Sequence, residues 1–339
     1  TMNEYPRIAN RGMWTWGYVI YDYRRSLDNM ARLKMNELIV WNDTPPLNCC
    51  EIIKYAHSRG IRLILGFHWG WGIENLDLAN PAHLRDTREQ VLQNFQKNYM
   101  CLGMDGIYIQ TATEHRSTEL GGSSVASLVC NWVNDIGRAL LVKDPSLTIL
   151  FGLHATSIRQ HFKDLETLDS RITIVWEDAG VIPYTHIVEE PKKVGLETPE
   201  FTCDYSKKLA NLRPGAVFAL VAKGWFMIDW QKEFEHHGEF ILGEYDGNFI
   251  RNRLREHQPT WDKRNAFWLK NHAIAAQFYE ALINEAPSQL NVTGLIEDGL
   301  FEEYIQPSVA LFAETIWNPS RESSSIVELA FSPYYSKRR

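Results

Sequence analysis

No stretch of this sequence has the roughly 18 consecutive apolar residues that span a bilayer, so no membrane partner is expected. Thr1–Asn10 is polar and lacks the hydrophobic centre of a secretory leader. Basic excess is missing as well. Lys and Arg number 35 against 42 Asp and Glu, for a formal charge of −7, whereas nucleic acid and anionic lipid require basic stripes. Cysteine is scarce and odd in number. Cys49, Cys50, Cys101, Cys130 and Cys203 follow no zinc-ligand spacing. They read as free thiols, with Cys101 and Cys130 buried in helix-like segments, and reduced cysteines lean toward a cytoplasmic compartment. A phosphate-cradling glycine loop, a GxSxG elbow and an HExxH pair are all absent, so neither cofactor nor metal is expected.

Tryptophan, by contrast, is abundant. Twelve occur in 339 residues, many beside the ends of short apolar runs. Such rings offer a flat apolar face with a polar handle, on which sugar rings stack; others belong to the core.

The apolar runs are Gly12–Trp16, Leu38–Trp41, Leu63–Trp69, Gly106–Thr111, Thr148–His154, Ile172–Trp176, Ala216–Val221 and Val292–Ile296. Their brevity and composition suit strands buried on both faces. Helical patterns lie between them at Tyr23–Met35, Cys49–Ser58, His83–Leu102, Val125–Leu141, Ser157–Leu168 and Trp261–Asn284, with Gly60, Gly103 and Gly215 placed to end helices. Eight strands alternating with helices predict an α/β fold, a single (β/α)8 TIM barrel over residues 1–339. Two long loops, about 179–200 and 226–248, follow the sixth and seventh strands, on the face where barrel active sites are built.

The residues at the strand ends then carry the functional argument. Strand one ends in Trp14-Thr15-Trp16, strand two in Trp41-Asn42-Asp43 and strand three in Phe67-His68-Trp69. Strand four leads to Glu114, strand five to His154, and strand six to Trp176-Glu177-Asp178. Beyond the seventh lie Lys223 and Asp229, and beyond the eighth Glu297 and Asp298. Carboxylates with aromatic walls are what glycoside hydrolysis needs: one acid protonates the leaving oxygen, and a second carboxylate activates water or attacks the anomeric carbon. Glu114, the only carboxylate at the end of strand four, is the expected acid, with Glu177 or Asp178 as base or stabiliser. Trp14, Trp16, Trp69 and Trp176 would wall the pocket. Asp43, Asp229, Glu297 and Asp298 would hold sugar hydroxyls, while His68 and His154 would donate to a hydroxyl or carboxylate. Lys223 is the one residue suggesting a uronic acid. Two other classes fit the same residues: a carbohydrate-binding barrel without catalysis, and a metal-dependent hydrolase or deacetylase using His68, His154 and a carboxylate.

Pro6-Arg7-Ile8-Ala9-Asn10-Arg11-Gly12 and Ser26–Asn36, with its Met30-Ala31-Arg32-Leu33-Lys34-Met35-Asn36, resemble the opening of the family 20 β-hexosaminidase barrel. That resemblance implies that Arg11 binds a sugar hydroxyl. Thr113-Glu114-His115 is similar to the strand-four turn of family 67 α-glucuronidases, which implies the general-acid role for Glu114. Phe162–Asp169 resembles a helix of the same family. Ala313–Pro319 is similar to a terminal helix shared by families 67, 84 and 115, which makes Glu314 a helix residue rather than a catalytic one. The sequence departs from family 20 at Thr113, where those enzymes carry the Asp that orients an N-acetyl group; Glu177 and Asp178 would have to take over that task. The small α/β domain that precedes such barrels is not in this chain. Besides a carbohydrate substrate, a second copy of the chain or an additional domain is left open as a partner.

Overall fold

Each apolar run becomes a strand in a computed structural model that describes residues 4–42, 44–66, 77–110, 113, 117–177, 199–223, 225, 239–243, 247–285, 287–296 and 302–336. The strands are β1 (Arg11–Trp16), β2 (Glu37–Trp41), β3 (Arg62–Gly66), β4 (Gly106–Gln110), β5 (Thr148–Leu153), β6 (Ile172–Trp176), β7 (Val217–Ala222) and β8 (Gln289–Leu295). Every neighbouring pair is parallel, and β1 against β8 closes the ring. The fold is therefore the expected (β/α)8 barrel.

Successive strand residues point to opposite faces. Trp14, Trp16, Ile39, Trp41, Ile64, Tyr108, Leu150, Val175, Ala219 and Val221 face inward and form their own buried cluster. The alternate residues, such as Leu38, Ile107 and Phe151, join the helices in a larger outer core.

The helices are α1 (Tyr23–Arg32), α2 (Cys49–Ser58), α3 (Pro81–Asn94), α4 (Val125–Lys143), α5 (Pro199–Leu212), α6 (Gly247–Ile283), α7 (Pro307–Trp317) and α8 (Ser323–Ala330). Local chemistry sets their ends. Asn80 accepts from the N–H groups of Ala82 and His83, with Pro81 in the first turn of α3, and Ser124 caps α4 through the Ser127 N–H. Gly60 and Gly215, just past α2 and α5, take φ values of 70° and 80°, which side chains resist. Among the described residues, α4 is the one helix long and apolar enough to cross a membrane, yet most of it is buried.

Several details differ from expectation. The 155–167 link opens with one α-helical turn and continues as a 3-10 helix, because i, i+3 spacing serves either form. α6 already begins at Gly247 and runs through Pro259. A two-residue hairpin, Glu119–Leu120 with Ser123–Ser124, precedes α4. Cys130 is buried, but Cys101 follows the π-helical turn Phe95–Tyr99 and is exposed.

At the N-terminal end of the barrel, the two ends of the described chain are stapled together. The Arg7 N–H donates to the Trp317 carbonyl at 2.9 Å, and Glu4 accepts from Asn318 at 2.6 Å and from Arg321. Glu314, on α7 as expected, is buried and accepts from Lys34 (2.7 Å), Arg321 (2.6 Å) and Tyr335 (2.5 Å). Burial opposes its ionisation, but these three partners outweigh it and hold its carboxyl below the ordinary range.

Candidate active site

Two-residue alternation carries the inward-facing rows up to the C-terminal mouth. Gln110 lies two residues beyond Tyr108 on β4. His154 lies two beyond Gly152, Glu177 two beyond Val175 and Lys223 two beyond Val221. Four strands thus bring polar groups together above the inner cluster, to which Trp16 and Trp41 belong.

Glu177 is the hub. The Tyr108 hydroxyl donates to its Oε1, and the Gln110 amide donates to its Oε2 at 2.7 Å. His154 Nε2 lies 3.1 Å from the same Oε2 and 2.9 Å from Gln110 Nε2. The carboxylate is only 4 % exposed. An amide nitrogen has two protons to give, and an imidazole nitrogen either accepts one or donates its own. The proton on His154 is thereby linked to the hydrogen bonding of Gln110. Gly152 is required at its position: a Cβ there would lie 2.2 Å from both Glu177 Oε1 and the Tyr108 oxygen.

Burial opposes the charge on Glu177. The charge and hydrogen bond of His154, the charge of Lys223 and the Tyr108 hydroxyl outweigh it, and the carboxyl is held below its ordinary range. A group so held is an anion at neutral pH. It can stabilise developing positive charge or accept a proton, and it is not a proton donor.

The neighbouring backbone is tied as well. The His154 N–H donates to Thr113 Oγ1 at 3.0 Å, and Ser157 donates to the Thr113 carbonyl through both its N–H (3.1 Å) and its hydroxyl (2.6 Å). Thr113, three residues beyond β4, is therefore fixed to the start of the segment that follows β5. Gln110 Oε1, Trp14 Nε1 and Thr293 Oγ1 are buried polar atoms without a partner among the described residues. No three His, Cys, Asp or Glu side chains gather as metal ligands among the described residues.

Of the residues named from sequence, Glu177, His154, Trp14 and Trp16 share the barrel interior. Trp14 and Trp16 meet edge to face at 4.7 Å, and Trp16 and Trp41 at 5.4 Å. Trp176 is a correction. With Glu177 pointing in, alternation turns Trp176 out, where it packs at 5.0 Å against Tyr205 of α5. Arg11 is the other correction. It opens β1 and so sits roughly 16 Å, five residue rises, from that strand's C-terminal end. Its guanidinium donates to the carbonyls of Ile8 (2.5 Å), Ala9 (2.7 Å) and Lys34 (2.9 Å), and lies over the Trp317 ring. Asp43, His68, Trp69, Glu114, Asp178, Asp229, Glu297 and Asp298 lie outside the described residues. Sequence reasoning missed Tyr108, Gln110 and Gly152. The available signal was the Tyr108-Ile109-Gln110 spacing, which puts two polar groups on one face of an otherwise apolar strand.

No protein-family model matches the sequence, and no curated protein matches it. Solved structures match in fold. A GH138 enzyme targeting pectin rhamnogalacturonan II superimposes with a TM-score of 0.54 at 13% identity, covering 95% of this chain and 41% of that one. A mutant O-GlcNAc hydrolase of Thermobaculum terrenum gives 0.53 at 11%, covering 96% and 64%. A GH18 chitinase from Pseudoalteromonas aurantia gives 0.50 at 9%, covering 91% and 100%. At such identities the likeness is one of barrel fold. The chain spans about two fifths of the GH138 enzyme and under two thirds of the O-GlcNAc hydrolase.

Proposed function

We propose that the chain is a glycoside hydrolase that removes a terminal sugar, a hexosaminide or uronide, from a glycan. The observation that carries this reading is the buried, ionised Glu177, held by Tyr108, Gln110 and His154 at the mouth of the barrel, with Trp14 edge-on to Tyr108 and Trp16 and Trp41 following it in a row of ring contacts. Cleavage of a glycosidic bond passes through an oxocarbenium-like state, which a fixed anion stabilises and an aromatic wall shields. Because Glu177 is an anion, the leaving oxygen must take its proton from another group. Glu114, four residues beyond β4, is assigned that acid role, with Asp178 available to orient water. Trp14 and His154 belong to the pocket lining. Asp43, His68, Trp69, Asp229, Glu297 and Asp298 complete it in this proposal. The three fold neighbours named above are carbohydrate-directed by their descriptions, which supports the class of reaction.

A panel of aryl glycosides and natural disaccharides, hydrolysed by wild type, Glu114→Gln and Glu177→Gln with a chelator control, tests the proposal. One sugar should be cleaved with chelator indifferent, and each variant should lose roughly a hundred- to ten-thousand-fold on the natural linkage. Activity abolished by chelator would transfer the chain to metal-dependent hydrolases. Glycan binding without any cleavage would make it a binding barrel.

A further inference from the structure

The Tyr108–Glu177 contact rests on two separate features of the sequence. One is a hydroxyl on the inner face of β4, and the other is a missing side chain on β5. Gly152 leaves open the space that both oxygens occupy, since a Cβ there would reach each of them at 2.2 Å and Tyr108 Cζ at 2.6 Å. The Tyr108 ring is itself fixed, fully buried and edge-on to Trp14 at 5.8 Å. Its hydroxyl donates to Oε1, whereas Gln110 and His154 converge on Oε2. The two carboxylate oxygens are thus held from different sides. Among the described residues, loss of the Tyr108 hydroxyl takes away the partner of Oε1 and leaves those of Oε2 to draw the carboxylate toward His154.

We propose that Tyr108, seated in the space left by Gly152, is the positioning residue that fixes the orientation of Glu177 for the reaction at the barrel mouth. This rests on the glycosidase reading of Glu177, but the contact itself can be tested without a substrate. Among the described residues, the charged or titratable groups facing Glu177 are Tyr108 from β4, His154 beyond β5 and Lys223 beyond β7. Tyr108→Phe changes one of them and keeps the ring. Tyrosine and carboxylate form a charge-assisted hydrogen bond, and losing such a bond raises the carboxyl midpoint by roughly one to two pH units.

The experiment is a carboxyl-carbon NMR titration of the full chain with labelled glutamate, Glu177 being assigned by its disappearance in Glu177→Gln. In wild type the resonance should titrate below the ordinary glutamate range. In Tyr108→Phe its midpoint should rise by about one unit or more. A fluorinated tyrosine at position 108, with the same shape and a more acidic hydroxyl, should move it the other way, and this covers the case in which the Phe variant does not fold. On whichever glycoside is cleaved, Tyr108→Phe should lower kcat at nearly constant KM. A midpoint unmoved by the fluorinated tyrosine or by the Phe variant overturns the proposal, whether or not any glycoside is cleaved. A shifted midpoint with no cleavage of any sugar overturns the glycosidase reading and leaves the Tyr108 contact standing.

Discussion

At the opposite end of the barrel from the mouth, Glu37 heads β2 and points inward by the same alternation as Ile39 and Trp41. It is 2 % exposed, 3.0 Å from Arg62 at the head of β3; Arg62 also donates to Thr148 Oγ1 at 2.7 Å. Burial pushes the Glu37 carboxyl up to about 7 from an ordinary 4.5, with Arg62 opposing and Asp105 adding to the rise. The native state therefore holds a proton that the unfolded chain has released across that interval. Its contribution to stability is full below about 4.5 and is lost as pH rises through about 7. At about 1.4 kcal/mol per pH unit, the loss between pH 5 and pH 8 is roughly 2–3 kcal/mol, a sizeable share of the roughly 5–15 kcal/mol by which folded domains are stable. Glu37→Gln keeps the shape and an acceptor for Arg62 and removes the titration. Arg62 is 31 % exposed and can be hydrated when its partner loses charge. Urea unfolding of both proteins at pH 5 and pH 8 is the assay. The stability difference should move in favour of the Gln variant by roughly 2–3 kcal/mol over that range. A difference independent of pH would show that Glu37 is ionised throughout and that Arg62 fully offsets its burial.

The two corrected residues give further tests. Arg11→Ala should cost roughly 1–3 kcal/mol in thermal or urea unfolding, since it strands three carbonyls, and should leave glycan affinity unchanged; a selective loss of affinity would restore the sugar-binding role implied by resemblance. Trp176→Ala should cost roughly 3–5 kcal/mol through the cavity left against Tyr205. Trp16→Ala, at the mouth, should weaken glycan binding measured by calorimetry more than Trp176→Ala does.

The barrel was legible in the sequence because doubly buried strands announce themselves as short apolar runs, and glycines such as Gly60 and Gly215 mark where helices stop. The same double burial hides which face each strand residue takes. Trp16 and Trp176 both end apolar runs, and hydrophobicity cannot separate them; one lies inside the barrel and the other against α5. Tyr108 and Gln110 could have fixed the phase of β4, since polar side chains two apart must share a polar environment. The role of Gly152 was not readable, because only the positions of Tyr108 and Glu177 on two other strands give its missing Cβ a meaning. Arg11 misled because a motif that resembles a family says nothing about which end of a strand it occupies.

The stapling of Glu4 and Arg7 to Trp317, Asn318 and Arg321 has a practical corollary for handling the protein. Tyr335 joins the same region through Glu314, so a linker attached near either Glu4 or Tyr335 leaves from the side where the strands begin. Anchored to a bead or sensor surface by either route, the molecule would turn the face where the strands end, with Gln110, His154 and Glu177, away from the support.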